Sequence, residues 1–175
     1  MSNAERQPRA LISAASKHES TTEIARVIGD RLADQDIAVD IVPPALVDSI
    51  DDYGAVILGS AVYAGRWLPP ARDFAIRFAD ELADRPLWLF SSGPVGNPAA
   101  RKDPPDVTAI ERDIAVRGHR MFDGKLDPEA LSLGERISLL GRARPGGDFR
   151  DWDAVARWAD GIAASLRLPA ADQQG

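Results

Sequence analysis

The sequence predicts an α/β domain whose five-stranded parallel sheet is doubly wound, with helices on both faces. Three observations carry that expectation. Short apolar runs of strand length alternate with longer stretches whose apolar residues recur every three or four positions. The runs Ala55–Gly59 and Leu87–Phe90 are continuously apolar and Ala10–Ala15 almost so, as strands buried on both faces must be. Strands that alternate with helices pair in parallel through right-handed crossovers. The expected strand order is 2-1-3-4-5.

Taken in order, Ala10–Ala15 reads as the first strand. Ile24, Ile28 and Leu32, with Ala25 and Ala33, mark the first helix, and Ser20 with Glu23 fits a capping box at its start. Ile37–Val42 alternates like a half-exposed strand that Pro43 and Pro44 end. After the buried run Ala55–Gly59, Pro69 and Pro70 start a helix, because first-turn amides have no helical acceptor to lose. Its stripe is Ala71, Phe74, Ala75, Phe78 and Leu82. Leu87–Phe90 is the fourth strand, Val107, Ile110 and Ile114 mark a helix, and His119–Phe122 is the fifth strand. Asp151 caps a last helix with Trp152, Val155, Ala159, Ile162 and Leu166 inward. Between them, residues 126–148 are longer than a plain crossover, and Leu133, Ile137 and Leu140 suggest an extra helix. The reading is one domain over residues 8–168, with flexible tails at 1–7 and 169–175.

Composition narrows the function. The 175 residues suit a single core. A net charge of -6 leaves no basic excess to neutralise phosphates, which argues against nucleic acid as a partner. With no cysteine and two histidines, thiolate chemistry is excluded and no metal is expected. The polar N-terminus and the absence of a long apolar window predict a cytoplasmic protein without a transmembrane segment.

In such sheets ligands sit beyond the carboxyl ends of the strands, where the strand order reverses. Three loops converge there. The first, Ser16, Lys17, His18, Glu19, Ser20 and Thr21, offers hydroxyls and free amides at the positive end of a helix, as a phosphate requires. The same hydroxyls would also serve simply to cap that helix, and His18 reads as a solvated loop residue. The second, Ser60, Ala61, Val62, Tyr63, Ala64 and Gly65, runs on to Arg66 and Trp67. It joins small residues to aromatics, so that a planar ligand can approach the backbone and stack on a ring. Tyr63 is the better stacking candidate, whereas Trp67 suits core packing. The third, Ser92, Gly93, Pro94, Val95 and Gly96, is either a plain turn or the other edge of the ligand site. One phosphate and one flat ring describe flavin mononucleotide, FMN.

The segments "SKHESTTEIA", "DDYGAVILGSAVYAGRWLPPARDF", "WLFSSGPVG", "FDGKL" and "GDFRDWDAVARWADGIA" together span nearly the whole chain. They resemble the flavodoxin-domain family that includes the menaquinone-dependent protoporphyrinogen dehydrogenases. The resemblance implies a flavodoxin-like fold and FMN as cofactor. It places phosphate ligands at Ser16, Ser20 and Thr21 and ring-binding segments at residues 60–65 and 92–96. Glu19 stands where that family usually has glycine, which predicts weaker FMN binding.

No residue is an obvious acid, base or nucleophile, and His119 reads as structural. A flavin supplies its own redox chemistry, so an oxidoreductase needs no triad. The expected activity is FMN-dependent oxidation or electron transfer, with quinone-linked protoporphyrinogen oxidation, a step of heme biosynthesis, as the reaction the resemblance implies. A small electron carrier with a diffusible partner is the alternative, and a flavin-free interaction module a third. Arg136, Arg142 and Arg144 beside the apolar stripe of residues 131–147 would suit peripheral membrane contact, or a surface helix packed on the domain.

Overall fold

The computed structural model describes residues 9–93, 102–126, 147, 148 and 150–168. Its elements run β1 (Arg9–Ala15), α1 (Ser20–Ala33), β2 (Ala38–Ile41), a 3-10 turn (Pro44–Leu46), β3 (Ala55–Tyr63), β4 (Arg66–Trp67), α2 (Pro69–Arg77), α3 (Ala79–Ala83), β5 (Leu87–Ser92), α4 (Pro105–Asp113), β6 (Gly118–Phe122), β7 (Lys125–Leu126), β8 (Gly147–Asp148) and α5 (Trp152–Arg167). The five long strands are parallel in the order β2-β1-β3-β5-β6, the expected order when only those strands are counted.

Alternation along each strand divides the core into two layers. Leu11, Val56, Leu58, Leu87 and Leu89 face α2, α3 and α4, where Phe74, Phe78, Leu82 and Val107 meet them. Ala10, Ile12, Ile57, Trp88 and Phe90 face α1 and α5, against Ile24, Ile28, Leu32, Val155 and Ile162. The two outer helices on that second face are joined by Arg31, whose guanidinium donates to both oxygens of Asp160 at 3.2 and 2.6 Å. Asp151 caps α5 by accepting from the Ala154 amide at 2.9 Å.

Four expectations change. The capping box does not form: Glu19 is the N-cap residue, in a left-handed conformation at φ 59, so Ser20 becomes the first helical residue. Ser20 Oγ instead accepts from the Lys125 amide at 3.1 Å, and Glu23 pairs with Arg150. The helix begun by Pro69 breaks at Phe78 into α2 and α3, although the whole expected stripe remains buried. Trp152 lies at the surface, where the Arg150 guanidinium stacks on it, and Leu166 is only partly buried. The segment expected as a plain loop after the third strand is a hairpin that adds a short antiparallel strand to the sheet. The extra helix anticipated within 126–148, Arg136, Arg142, Arg144 and both tails lie outside the described residues.

Close packing at the sheet centre depends on one missing side chain. Phe90 lies directly over Gly59, its partner in the β3–β5 ladder, and a Cβ at Gly59 would fall 2.2–2.6 Å from the Phe90 ring. The ring is itself held by Phe122 and Trp158 at centroid distances of 6.3 and 6.1 Å. Gly59→Ala should therefore destabilise the fold by about 1–3 kcal/mol, the usual cost of overpacking. Urea unfolding midpoints test this, and an unchanged midpoint would show that the ring has room to retreat.

Candidate functional site

The register sets where the loops emerge. Ala15 pairs with Ser60, Ala61 with Ser92, and Ser92 with Phe122, so β1, β3, β5 and β6 deliver residues 16, 61–65, 93 and 123 to one edge. This is the carboxyl edge, and the strand order reverses there, with β2 and β3 on either side of β1, the position at which such sheets bind ligands.

In the first loop Ser16 Oγ is buried without a hydrogen-bond partner. An orphaned buried hydroxyl is costly unless something completes it, and an anion oxygen would. Thr21 is buried in the first turn of α1. Lys17, His18 and Glu19 are exposed, and the left-handed turn at Glu19 sets up the start of the helix. That conformation costs a side-chain-bearing residue about 1 kcal/mol relative to glycine.

The second loop is a two-residue hairpin. Val62 pairs with Trp67 and Tyr63 with Arg66, while Ala64 and Gly65 turn at φ 50 and 77. Two successive positive values are those of a type I′ turn, which matches the twist of the flanking strands. Tyr63 is 47% exposed, and Lys17 Nζ lies 4.4 Å from its ring centroid, so the first and second loops meet directly. Ser60 is wholly buried: its hydroxyl donates to the Ala61 carbonyl at 2.8 Å and accepts from the Leu68 amide at 2.9 Å. Ala61 and Val62 are half-buried, and Ala64 and Gly65 are exposed.

In the third loop Ser92 is buried and Gly93 turns at φ 89, its amide donating to the Phe122 carbonyl at 3.0 Å. Pro94, Val95 and Gly96 lie outside the described residues. The structure thus brings together the first loop, the hairpin and the Gly93 turn.

Several residues near the site carry no sequence signal. Asp106, in the first turn of α4, is 8% exposed and reaches across to the hairpin. Its carboxylate accepts from Arg66 Nε at 2.9 Å, Arg66 Nη2 at 2.7 Å and the Trp67 amide at 2.9 Å. Arg66 holds the Asp106 carboxyl below the usual carboxylate range, against the opposing effect of burial. No local pattern points to its partner 40 positions away.

Trp67 is core, as its sequence context suggested. Its indole Nε1 donates to Ser91 Oγ at 2.8 Å; Ser91 Oγ lies 2.9 Å from His119 Nε2, and His119 Nδ1 lies 3.2 Å from Asp103 Oδ1. The network assigns the proton to Nδ1, leaving Nε2 to accept from Ser91. Serine, histidine and aspartate stand in the order of a nucleophilic triad. Ser91, however, is 0% exposed beneath the Trp67 indole, so no substrate reaches it and the group is structural. Among the described residues no cluster of three or more metal-ligating side chains occurs, and no helix is long and apolar enough to cross a membrane.

The family model for the flavodoxin domain matches residues 11–140. The chain belongs to the flavodoxin-domain family. Similar folds include a flavodoxin from the domain Archaea, at TM-score 0.63 and 14% identity over 91% of this chain and 99% of that one. Oxidised flavodoxin 2 from Bacillus cereus matches at TM-score 0.61 and 19% identity, over 91% and 99%. Rubredoxin oxygen:oxidoreductase from Desulfovibrio gigas matches at TM-score 0.58 and 18% identity, covering 94% of this chain but 38% of that one. No curated protein matches at the sequence level. Membership in the flavodoxin family brings FMN as the cofactor and electron transfer as the class of chemistry. The residues present fit it, since Ser16 leaves a buried hydroxyl to be completed beside a helix start.

Burial holds the His119 imidazole below its ordinary pKa, outweighing Asp103 and Glu111, which raise it. As pH falls, the unfolded chain therefore takes up that proton first. The stability contributed by neutral His119 is complete above pH ~6.5 and is lost from there downward toward the folded value. Urea midpoints compared at about pH 7.5 and about pH 5.5 should show a decline that His119→Gln reduces. An equal decline in the variant would assign it to other groups.

Proposed function

We propose that this protein binds FMN across the three loops and uses it to pass electrons to a redox partner. The phosphate would lie at the first loop, held by Ser16, the hydroxyls of Ser20 and Thr21, and amides at the start of α1. The ring would lie between Tyr63 and the Gly93 turn, in the order those loops take along the sheet edge. The single observation that carries this reading is the unpartnered buried hydroxyl of Ser16, four positions before a helix start within a flavodoxin domain. FMN, when bound, supplies one- and two-electron chemistry, and the protein's task is to position it and tune its surroundings.

The finer reading is quinone-linked oxidation of protoporphyrinogen, in which substrate electrons pass through the flavin site to a quinone. It rests on the likeness of residues 51–74 and 147–163 to the dehydrogenases of that type. Turnover with a quinone acceptor would separate it from a carrier that serves a diffusible protein partner.

Calorimetry with FMN and riboflavin is the direct test of the cofactor assignment. FMN should bind at least tenfold more tightly, because riboflavin lacks the phosphate that the first loop would hold. Equal affinities would remove the phosphate site, and no binding of either would leave a flavin-free module.

Glu19 already holds φ 59, so its backbone cost falls on folding, whereas its negative charge acts on the phosphate. Glu19→Gly and Glu19→Gln should therefore tighten FMN binding by similar factors, about two- to tenfold at low salt and less at high salt. Glycine alone should also relieve the backbone. If glycine tightens binding far more than glutamine does, backbone approach rather than charge limits the loop.

A further inference from the structure

The hairpin that ends β3 at Tyr63 is weakly held on its returning arm. β3 belongs to the central sheet, but β4 joins it through only two paired positions, Val62 with Trp67 and Tyr63 with Arg66, too few to fix that arm by themselves. What fixes it comes from α4, on the neighbouring layer. Asp106 accepts three hydrogen bonds there, two from the Arg66 guanidinium and one from the Trp67 amide. Arg72 Nη1 stands a further 4.0 Å away. A nearly buried carboxylate is a poor device for stability alone, since taking the charge out of water offsets much of the attraction. It is a good device for fixing one geometry, because the guanidinium fork and the amide accept only one placement of its oxygens.

We propose that Asp106 is the positioning residue of the ring-binding hairpin. By holding both residues of β4 it fixes Tyr63, which is paired across the ladder with Arg66, in the place from which its ring meets the flavin. The Trp67 indole, tied to Ser91, secures the same strand from below. This role rests on the FMN reading of the site, and it makes the start of α4 part of the flavin site without touching the cofactor.

The test is a double-mutant cycle on the full-length chain. FMN affinity and the residual emission of bound flavin are measured for wild type, Asp106→Asn, Tyr63→Ala and the double variant, with urea unfolding to confirm folding. Asparagine keeps the shape and removes the charge. Asp106→Asn should weaken FMN binding about two- to tenfold, the range of one aromatic stack, and raise the emission of bound flavin. In the Tyr63→Ala background the same change should cost less than about twofold, because the contact it governs is already gone. Arg66→Ala, at an exposed side chain, should reproduce part of the loss and serves if Asp106→Asn does not fold. Equal affinity and emission in wild type and Asp106→Asn would overturn the proposal, as would a loss of equal size with and without Tyr63. Should wild type bind no FMN, the site reading fails by itself. Hydrogen exchange at the Trp67 amide then decides the anchor: faster exchange in Asp106→Asn supports it, and unchanged exchange removes it.

Discussion

The parallel ladder through β3 is the constraint on which the rest of this protein depends. Parallel strands buried on both faces must satisfy every backbone amide and carbonyl within the sheet, so their register admits no slack. Ala15, Ser60 and Ser91 consequently sit level across β1, β3 and β5, and whatever follows them leaves from one edge. Gly59 lets Phe90 cross the centre of that ladder, and the aromatic group of Phe90, Phe122 and Trp158 braces it from the α5 side. The site is a consequence of where the ladder stops.

At that edge the chain accepts local cost. Glu19 and Ala64 both hold left-handed conformations that glycine would take more cheaply. Their surroundings compensate: the Lys125 amide binds the hydroxyl next to Glu19, and Asp106 holds the strand after Ala64. Strained turns kept in place by hydrogen bonds from other elements are common where a ligand must be met by a preformed surface. The exposed Lys17 and Tyr63, in contact with each other, close the space between the two turns.

Much of this was legible in the sequence. The strands, their order, the Asp151 cap and the burial of Trp67 follow from apolar periodicity and local helix signals, which act over a few residues. The hairpin at 62–67 was not read as one, because Ala64-Gly65 lacks the Asn-Gly or Asp-Gly signature of a type I′ turn. The capping box failed because Ser20 fits the local pattern, but its hydroxyl is taken by a backbone amide 105 positions away. Asp106 was opaque for the same reason, and so were the partners of His119, although its structural role was read from the sequence. An ion pair or hydrogen bond between distant residues leaves no periodicity, and only the folded chain brings the partners together.

The Arg150 side chain has a consequence for how the molecule is made. Nearly buried, it donates to both Glu23 and Asp148 and lies over Trp152, joining the first turn of α1 to the approach to α5. Glu23 precedes it by 127 positions, and Arg31 precedes Asp160 by 129. Contacts of such separation form late, since loop closure must come before any of their stabilisation. On the ribosome, β1, α1 and β3 emerge well before α5, which completes the sheet face that α1 covers only in part. The first loop is therefore completed late, since Glu23 at the start of α1 lacks Arg150, and Arg31 lacks Asp160, until the approach to α5 and α5 itself have emerged.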